Sequence, residues 1–188
     1  MLSKIYEKLA CQLERAGYDR DELVWGCGPE DSPVVLVGEA PGREEVEKKQ
    51  PFVGRAGKNL DEFLAHTGLE RQALFITNTV KFRPYRVSET GRRSNRPPNR
   101  QELALCQACL KEELAYLQPR LVVTLGNTAL HALNQTANIG QVHGQRLDCG
   151  GYQVFALYHP ASIIYRRALY PVYLEDLDKL KEVLKEVL

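Results

Sequence analysis

A single carboxylate stands in a glycine-rich turn early in the chain. Residues Val34 to Val37 are aliphatic and mostly β-branched, which predicts a short strand buried on both faces. The turn Gly38-Glu39-Ala40-Pro41-Gly42 follows, and ligands in open α/β sheets bind at the carboxyl ends of such strands. Glu39 is therefore a candidate ligand-facing acid, although a solvated glutamate in an ordinary strand-to-helix turn would show the same pattern.

Three further strands are followed by residues that could do chemistry. The runs 74–77, 121–125 and 154–158 are short and mostly apolar, and Asn78, Gly126 and His159 come directly after them. An amide side chain offers both a donor and an acceptor, and an imidazole can donate a hydrogen bond near neutral pH. Since parallel strands end at one edge of a sheet, Glu39, Asn78, Gly126 and His159 are expected to converge there.

The elements that must position these residues alternate along the chain. Helical spacing of apolar residues predicts an N-terminal helix within 1–17 and further helices near 60–68, near 101–117 and at the C-terminal end. Strands that alternate with helices indicate an α/β fold with a mostly parallel sheet covered on both sides. We therefore predict a three-layer α/β/α sandwich around a central, mostly parallel four-stranded sheet.

Length and composition limit the class of protein. The 188 residues fit one domain, expected over 1–188, and a hydrophobic share of 44% with 26% charged residues is typical of a soluble globular protein. No apolar run approaches the ~18 residues of a spanning helix, and the charged N-terminus lacks the pattern of a secretory signal. Five scattered cysteines argue against a disulfide framework. These features predict a cytoplasmic protein without membrane contact.

One segment is strongly basic although the formal net charge of the chain is only +1. Between Lys81 and Arg100 seven basic residues accompany one acid, Glu89. The segment holds three prolines and a glycine without periodicity, so 81–100 is predicted to be a long loop, and such loops are usually functional or disordered. A local basic stripe can attract a polyanion whatever the total charge, so this segment is a candidate phosphate-binding surface.

Several motifs occur in an order that resembles the family 4 uracil-DNA glycosylases. They are Gly38-Glu39-Ala40-Pro41-Gly42, Pro51-Phe52-Val53-Gly54-Arg55-Ala56-Gly57, Thr77-Asn78 followed by Lys81 and Arg83-Pro84, Asn95-Arg96-Pro97-Pro98, and His159-Pro160-Ala161. The resemblance extends over roughly residues 34–170, and several motifs in sequence are far more specific than any one alone. It implies an α/β/α sandwich that flips uracil out of DNA and cleaves its N-glycosidic bond.

The resemblance also implies roles for the residues that would surround a flipped uracil. Phe52 would stack on the base, and the amide of Asn78 would pair with uracil O4 and N3–H, a pattern that cytosine reverses. His159 would donate a hydrogen bond to uracil O2 as negative charge develops there. Gly38 and Ala40 would belong to the same substrate-binding set.

By the same resemblance Glu39 lies near the attacking water. A carboxylate there could orient the water and offset positive charge on the sugar. The first family of these enzymes has an aspartate one position later, where this chain has Ala40. Glu39 could therefore share the role with Glu45 or with backbone groups. We expect Glu39 and His159 to be the catalytic residues.

A second set of residues is expected to contact DNA. Ile163 and Ile164 stand where the family has paired leucines, and an apolar wedge there would fill the gap left by the extruded base, although both could equally be core residues. The insertion 85–94, relative to ordinary family members, is expected to contact backbone phosphates through its arginines. The full expected set is Gly42, Lys81, Arg83, Arg86, Arg92, Arg93, Arg96, Ile163, Ile164 and Arg166.

Family 4 members ligate an iron-sulfur cluster through four cysteines, and this chain departs from that pattern. Cys106 matches the last ligand and Cys11 could match the first, but Glu14 and Phe82 occupy the other two positions. Two thiolates are too few for a cluster that needs four ligands. Cys109 completes a Cys-x-x-Cys spacing with Cys106, yet no second such pair and no pair of histidines accompanies it. No metal and no cofactor are therefore expected.

The leading interpretation is a monofunctional hydrolase that acts as a monomer on uracil in single- or double-stranded DNA and leaves an abasic site. No lysine is placed as an obvious amine nucleophile, so strand cleavage is not expected. Two alternatives remain open. One is a non-catalytic or weakly active nucleic-acid-binding protein with the same fold, and the other is a glycosylase for other deaminated bases.

Overall fold

Strands and helices alternate along the chain from Val34 onward, as the sequence predicts. The computed structural model describes residues 1–188, apart from the side chain of Ile164. The strands are β1 (Val34–Gly38), β2 (Phe75–Asn78), β3 (Tyr85–Val87), β4 (Arg93–Asn95), β5 (Leu121–Leu125), β6 (Arg146–Cys149) and β7 (Tyr152–Leu157). The helices are α1 (Leu2–Arg15), α2 (Arg43–Lys48), α3 (Arg55–Thr67), α4 (Arg100–Leu117), α5 (Asn127–Leu133), α6 (Ile139–Val142), α7 (Pro160–Tyr165) and α8 (Tyr170–Val187).

Five of the strands form the central sheet in the order β2-β1-β5-β7-β6. The first four are parallel, and β6 pairs antiparallel with β7. The mostly parallel sheet is confirmed, but the predicted count of four strands is wrong. The fifth strand is a polar edge strand, joined to β7 by Gly150 and Gly151, whose φ angles of 64° and 93° suit a two-residue hairpin turn.

Helices cover both faces of the sheet, which confirms the three-layer sandwich. Successive strand residues point to opposite faces. On one face Leu36 and Val123 pack with apolar side chains of α3 and α8. On the other face Val37 and Val122 pack with side chains of α4 and α5. Among the described residues no helix combines the length and the apolar character that a membrane crossing requires.

The N-terminal helix lies outside these layers and packs on α4. Its side chains Leu9 and Leu13 form a third apolar cluster with Phe82 and Cys106. The rings of Phe82 and Tyr18 lie 4.1 Å apart, centroid to centroid. This cluster anchors the chain directly after β2, at the start of the basic segment 81–100.

Part of the basic segment forms a two-stranded hairpin rather than the predicted loop. Strands β3 and β4 are antiparallel, with Tyr85 opposite Asn95 and Val87 opposite Arg93. The guanidinium of Arg93 lies over the ring of Tyr85, 4.4 Å from its centroid. The insertion 85–94 thus forms most of this hairpin. The two-stranded sheet of β3 and β4 is separate from the central sheet.

Candidate active site

A cavity of about 460 Å³ opens at the carboxyl edge of the parallel strands. Glu39 after β1, Asn78 at the end of β2 and His159 after β7 all line it. Gly126, after β5, packs behind His159, since a Cβ atom added at Gly126 would lie 3.0 Å from the Cβ of His159. The parallel strand order therefore brings the four strand ends together, as the sequence predicts.

The ring of Phe52 forms one wall of the cavity and is held by unusual backbone geometry. Its φ angle of 55° lies in the left-handed region, which costs a bulky residue roughly 1–3 kcal/mol. Arg71 stabilises the turn, because its Nη2 donates to the carbonyl oxygens of Pro51 at 2.8 Å and Phe52 at 2.7 Å. The ring is 5% exposed and lies 6.0 Å from the His159 ring, with 28° between the planes. A flat apolar face thus stands opposite an imidazole.

Gly38 allows the end of β1 to pass close to two cavity residues. A Cβ atom at this position would lie 2.4 Å from Asn78 Oδ1 and 2.4 Å from Cζ of Phe52. No side chain fits such distances, so glycine is required for the amide and the ring to lie side by side. The missing side chain of Gly38 therefore leaves the space that the Asn78 amide and the Phe52 ring occupy.

Asn78 presents a buried amide with unused hydrogen-bonding capacity. The residue is only 3% exposed, and its Oδ1 has no hydrogen-bond partner among the described residues. Buried polar atoms are nearly always paired in folded proteins, since an unpaired one costs about 1–3 kcal/mol. A ligand edge that donates to Oδ1 would supply the missing partner.

His159 is neutral near pH 7 with its proton on the nitrogen that remains free. Burial lowers the pKa of the imidazole to about 4. Its Nδ1 accepts a hydrogen bond of 3.1 Å from the backbone N–H of Ala161 and so caps α7. Because Nδ1 is the acceptor, the ring proton resides on Nε2, which can donate to a ligand.

The two carboxylates near the cavity have different surroundings. Glu39 Oε2 accepts a hydrogen bond of 2.5 Å from the hydroxyl of Thr128 on α5, a partner that the sequence did not reveal. Glu45 is 8% exposed, and its two oxygens accept from the backbone N–H groups of Gly42 at 3.0 Å and Gly54 at 2.8 Å. Glu45 therefore joins two loops of the cavity wall, whereas Glu39 is the carboxylate with capacity for a water.

Some of the arginines expected to bind DNA already form ion pairs within the protein, and others do not. Arg86, Arg92 and Arg166 are exposed. Arg93 pairs with Glu22 at 2.6 Å, and Arg96 forms two bonds of 2.7 Å with the Glu102 carboxylate. These arrangements leave the first three arginines as the most available cations.

Two other members of that set are held within their own loops. Arg83 donates to the side chain of Asn95 on the hairpin at 2.7 Å. Ala40 and Gly42 both line the cavity, but the N–H of Gly42 is already bound to Glu45. Its carbonyl oxygen accepts from the N–H of Val46 at 3.2 Å, so a contact from Gly42 to DNA would be a van der Waals contact through Cα.

The structure contradicts two members of the expected DNA-binding set. Lys81 is 0% exposed and pairs with Glu113 in the interior, so it cannot reach a phosphate. Ile163 is 5% exposed and packs in the core with α3 and α8, so it is not a free wedge. The expected role of Ile164 falls on a side chain outside the described part of the structure. Tyr165, which the sequence did not single out, lines the cavity mouth and is 78% exposed.

The thiols do not fit the four-cysteine cluster that the resemblance implies. Cys11 is exposed on α1, while Cys106 is fully buried beside Phe82. Burial raises the pKa of Cys106, and it raises that of Cys109 to about 12. Within the described residues no three potential metal ligands cluster together. Cys106 and Cys109 pack instead in the apolar cluster with Leu9, Leu13 and Phe82.

Comparison with known proteins supports the resemblance over most of the chain. The sequence model of the Uracil DNA glycosylase superfamily matches residues 25–187. A type-4 uracil-DNA glycosylase from Thermotoga maritima is 36% identical over 182 residues, which cover 94% of this chain and 89% of that protein. The type-4 uracil-DNA glycosylase of Archaeoglobus fulgidus is 34% identical over 188 residues, which cover 95% of this chain and 90% of that protein.

Proposed function

The chain belongs to the uracil DNA glycosylase superfamily, and we propose from this that it is a hydrolase that excises uracil from DNA and leaves an abasic site. One observation within the site supports uracil as the base. The amide of Asn78 is buried with an unpaired acceptor, and it lies beside the flat ring of Phe52. That arrangement suits a flipped base that presents a donor next to an acceptor.

Base recognition follows from the chemistry of the Asn78 amide. Its Oδ1 would accept from uracil N3–H while its Nδ2 donates to uracil O4. Cytosine presents an unprotonated N3 and an amino group at these two positions, so it would place acceptor against acceptor and donor against donor. Phe52 would bind the face of the base by stacking, which every base permits. Selectivity would therefore depend on Asn78.

Bond cleavage would be assisted by hydrogen bonding to the departing base. As the bond between the sugar C1′ and uracil N1 breaks, the electron pair moves onto the base and negative charge collects on O2. The Nε2–H of neutral His159 can donate to that oxygen, and such a bond strengthens as the charge develops. Glu39 would orient the water that attacks C1′ while Thr128 holds the other carboxylate oxygen. The products are a uracil anion, which is later protonated, and an abasic sugar.

DNA would lie across the cavity mouth and against the hairpin. The exposed arginines Arg86 and Arg92 on the insertion, and Arg166 beyond α7, are suited to phosphate contacts. Arg83, Arg93 and Arg96 would add contacts where their present partners allow. The exposed ring of Tyr165 would meet the strand at the mouth in place of Ile163. We expect the chain to act as a single domain and a monomer, on single- or double-stranded DNA, in the cytoplasm.

We also propose that the protein folds without an iron-sulfur cluster. The support is the apolar cluster around Phe82 and the lack of four suitable thiolates. Purified protein should contain no stoichiometric iron and show no charge-transfer absorption in the visible range. Iron together with such an absorption band would refute this part of the proposal.

The excision reaction itself is the decisive test of function. The protein would be incubated with labelled oligonucleotides that carry uracil, hypoxanthine or xanthine, and abasic sites would then be cleaved with alkali. We expect product from the uracil substrate, and much less from the Asn78→Ala and His159→Ala variants. Product from the purines alone would identify a different deaminated base. No product from any substrate would favour a non-catalytic nucleic-acid-binding protein.

A further inference from the structure

A buried polar cluster lies directly behind the base-binding amide. It consists of Lys81, Glu113, Thr77 and Tyr6, and we name it the Lys81 cluster. The side chains of Lys81 and Glu113 are both 0% exposed, with 2.7 Å between Nζ and Oε2. The Tyr6 hydroxyl donates to Glu113 Oε1 at 2.5 Å, and the Thr77 hydroxyl lies 3.1 Å from both carboxylate oxygens. The cluster therefore connects α1 and α4 to the end of β2.

The ammonium of Lys81 uses all three of its donors. One is bound by Glu113, the second by the Thr77 hydroxyl at 2.5 Å, and the third by the backbone carbonyl oxygen of Asn78 at 2.9 Å. The third bond joins the cluster to the residue that would read the base. Since Oδ1 of Asn78 has no partner among the described residues, the direction of its amide depends on how its backbone is held.

Other hydrogen bonds hold the same backbone from the side of β1. The N–H and the hydroxyl of Thr79 both donate to the carbonyl oxygen of Gly38, at 2.8 Å and 2.9 Å. The N–H of Val80 donates to the carbonyl oxygen of Glu39 at 3.0 Å. The segment from Asn78 to Val80 is thus fixed to the neighbouring strand end, and Lys81 completes its support from the interior.

Stability alone does not account for a fully buried ion pair in this place. Removing two charges from water is costly, and replacing such a pair with apolar residues is often neutral or even stabilising. Along the chain Lys81 lies between Val80 and Phe82, whose side chains both belong to the apolar cluster formed with α1. We therefore look for the role of the pair in the Asn78 carbonyl, which accepts a hydrogen bond from the Lys81 ammonium.

We propose that Lys81, held by Glu113, is a positioning residue for base recognition, because its bond to the Asn78 carbonyl sets the direction in which the Asn78 amide meets uracil. The inference rests on the proposed function and assigns a further residue to the same site. Functional groups need to be held within about 0.5 Å of the productive geometry, and a misplacement of about 1 Å can cost about 10²-fold in rate. Loss of the ammonium should therefore weaken uracil binding and slow excision.

The test removes the ammonium while leaving the interior without an unpaired charge. In the double variant Lys81→Met/Glu113→Gln both charges are absent, and the new amide oxygen still accepts from Tyr6 and Thr77. The variant Glu113→Asp is a milder change, since it keeps the charge balance but retracts the carboxylate by one methylene. A matched control is Lys8→Gln/Glu112→Gln, which removes an exposed ion pair between the same two helices, α1 and α4.

Three measurements separate positioning from stability. They are the single-turnover rate of uracil excision, the affinity for free uracil, and the affinity for a duplex with a tetrahydrofuran abasic-site analogue, each on protein shown to be folded by circular dichroism. We expect the double variant to lose about tenfold to 10²-fold in rate and a comparable factor in uracil affinity. Glu113→Asp should lose less. Binding of the abasic duplex should stay at the wild-type level in both variants, and the control should match the wild type throughout.

Two outcomes would overturn the inference. One is wild-type excision and uracil affinity in both Lys81-cluster variants. The other is an equal loss of uracil binding and abasic-duplex binding, which would indicate a general structural role. Failure of the proposed function would look different, because the wild-type protein would then release no uracil.

Discussion

In the proposed function, the cavity and the inserted hairpin would solve two different problems of DNA recognition. The cavity is built from strand ends, and its residues Phe52 and Asn78 are buried and packed closely around Gly38. The hairpin, β3 with β4, pairs only with itself, and Arg86 and Arg92 extend from it into solvent. The cavity offers the unpaired amide oxygen of Asn78 and the free Nε2 of His159, whereas the hairpin offers exposed positive charge on long side chains.

This difference leads us to propose that base selection and DNA affinity would be carried by separate parts of the chain. A buried amide distinguishes bases because an unsatisfied hydrogen bond is costly in the interior. Exposed arginines contribute affinity without sequence information, because phosphates are the same at every nucleotide. Changes in the cavity should therefore affect the rate at saturation, and changes in the hairpin should affect binding and its salt dependence.

The largest effect is expected from His159→Ala. The variant lacks the Nε2–H donor for uracil O2, and removal of one such donor typically costs about 10²–10³-fold in rate. Single-turnover excision at saturating enzyme measures this loss. His66→Ala, at a more exposed histidine of α3 outside the cavity, is the control and should retain the wild-type rate. A small effect of His159→Ala on the excision rate would contradict a catalytic role for this cavity residue.

A somewhat smaller effect is expected from Gly38→Ala. Its new methyl group would lie 2.4 Å from both Asn78 Oδ1 and the Phe52 ring, so the two recognition groups must separate. Misplacement on this scale predicts a loss of about 10²-fold in single-turnover excision. Gly140→Ala in α6 has its nearest contact at 3.3 Å and serves as the control. Excision at the wild-type rate by Gly38→Ala would show that the cavity is not as closely packed as described.

The hairpin is expected to change binding rather than chemistry. In Arg86→Ala/Arg92→Ala the slope of log affinity against log salt should become shallower by about 1.8 on duplex DNA, or about 1.4 on single strands, if each arginine neutralises one phosphate. Fluorescence anisotropy across a salt series measures the slope. The excision rate at saturation should be unchanged. Lys181→Ala/Lys185→Ala on α8 is the control, and equal slopes in both double variants would contradict the assignment.

The smallest effect is expected from pH near neutrality. Burial lowers the pKa of His159 to about 4, so the imidazole stays neutral from pH 9 down to about pH 5. Its contribution to the single-turnover rate should therefore be flat over that range. Below about pH 5 a proton on Nδ1 would break the hydrogen bond from Ala161, and the rate should fall. An inflection near pH 6.5 that disappears in His159→Gln would contradict a neutral imidazole.

Stability should show the same titration with a definite sign. The unfolded chain carries a histidine with its ordinary pKa of about 6.5, whereas the folded pKa lies lower. As the pH falls from about 6.5 toward 4, this histidine is protonated in the unfolded state but not in the native state. The free energy of unfolding therefore decreases. Urea unfolding at a series of pH values measures this change. His159→Gln should lose less stability than the wild type over that interval.

The sequence predicted the fold and the convergence of the strand ends because both follow from simple periodicity. Buried strands, alternating helices and a parallel order place Glu39, Asn78 and His159 at one edge without any side-chain detail. The edge strand β6 was missed because its residues are polar, although Gly150 and Gly151 are a recognisable hairpin signal. The spacing of apolar residues thus predicts helices and strands where these elements are strongly buried.

The contacts that individual side chains make are harder to predict from the sequence. Lys81 stands in a basic run and was assigned to the surface, since nothing in the local sequence shows that Glu113, 32 residues later, enters the interior to meet it. Ile163 illustrates the opposite problem, because an aliphatic residue beside a binding site can face either the core or the ligand. The contact of Thr128 with Glu39 likewise joins residues 89 positions apart. Such pairs become visible only when the helices are packed.

Free uracil binding to isotopically labelled protein tests the central claim most directly. At pH 7 the ring nitrogens of His159 should show a neutral imidazole protonated at Nε2. Addition of uracil should shift the side-chain amide signals of Asn78 and the Nε2–H signal of His159 together, while cytosine should leave both unchanged. Equal responses to uracil and cytosine, or a His159 ring that is charged at pH 7, would contradict the account.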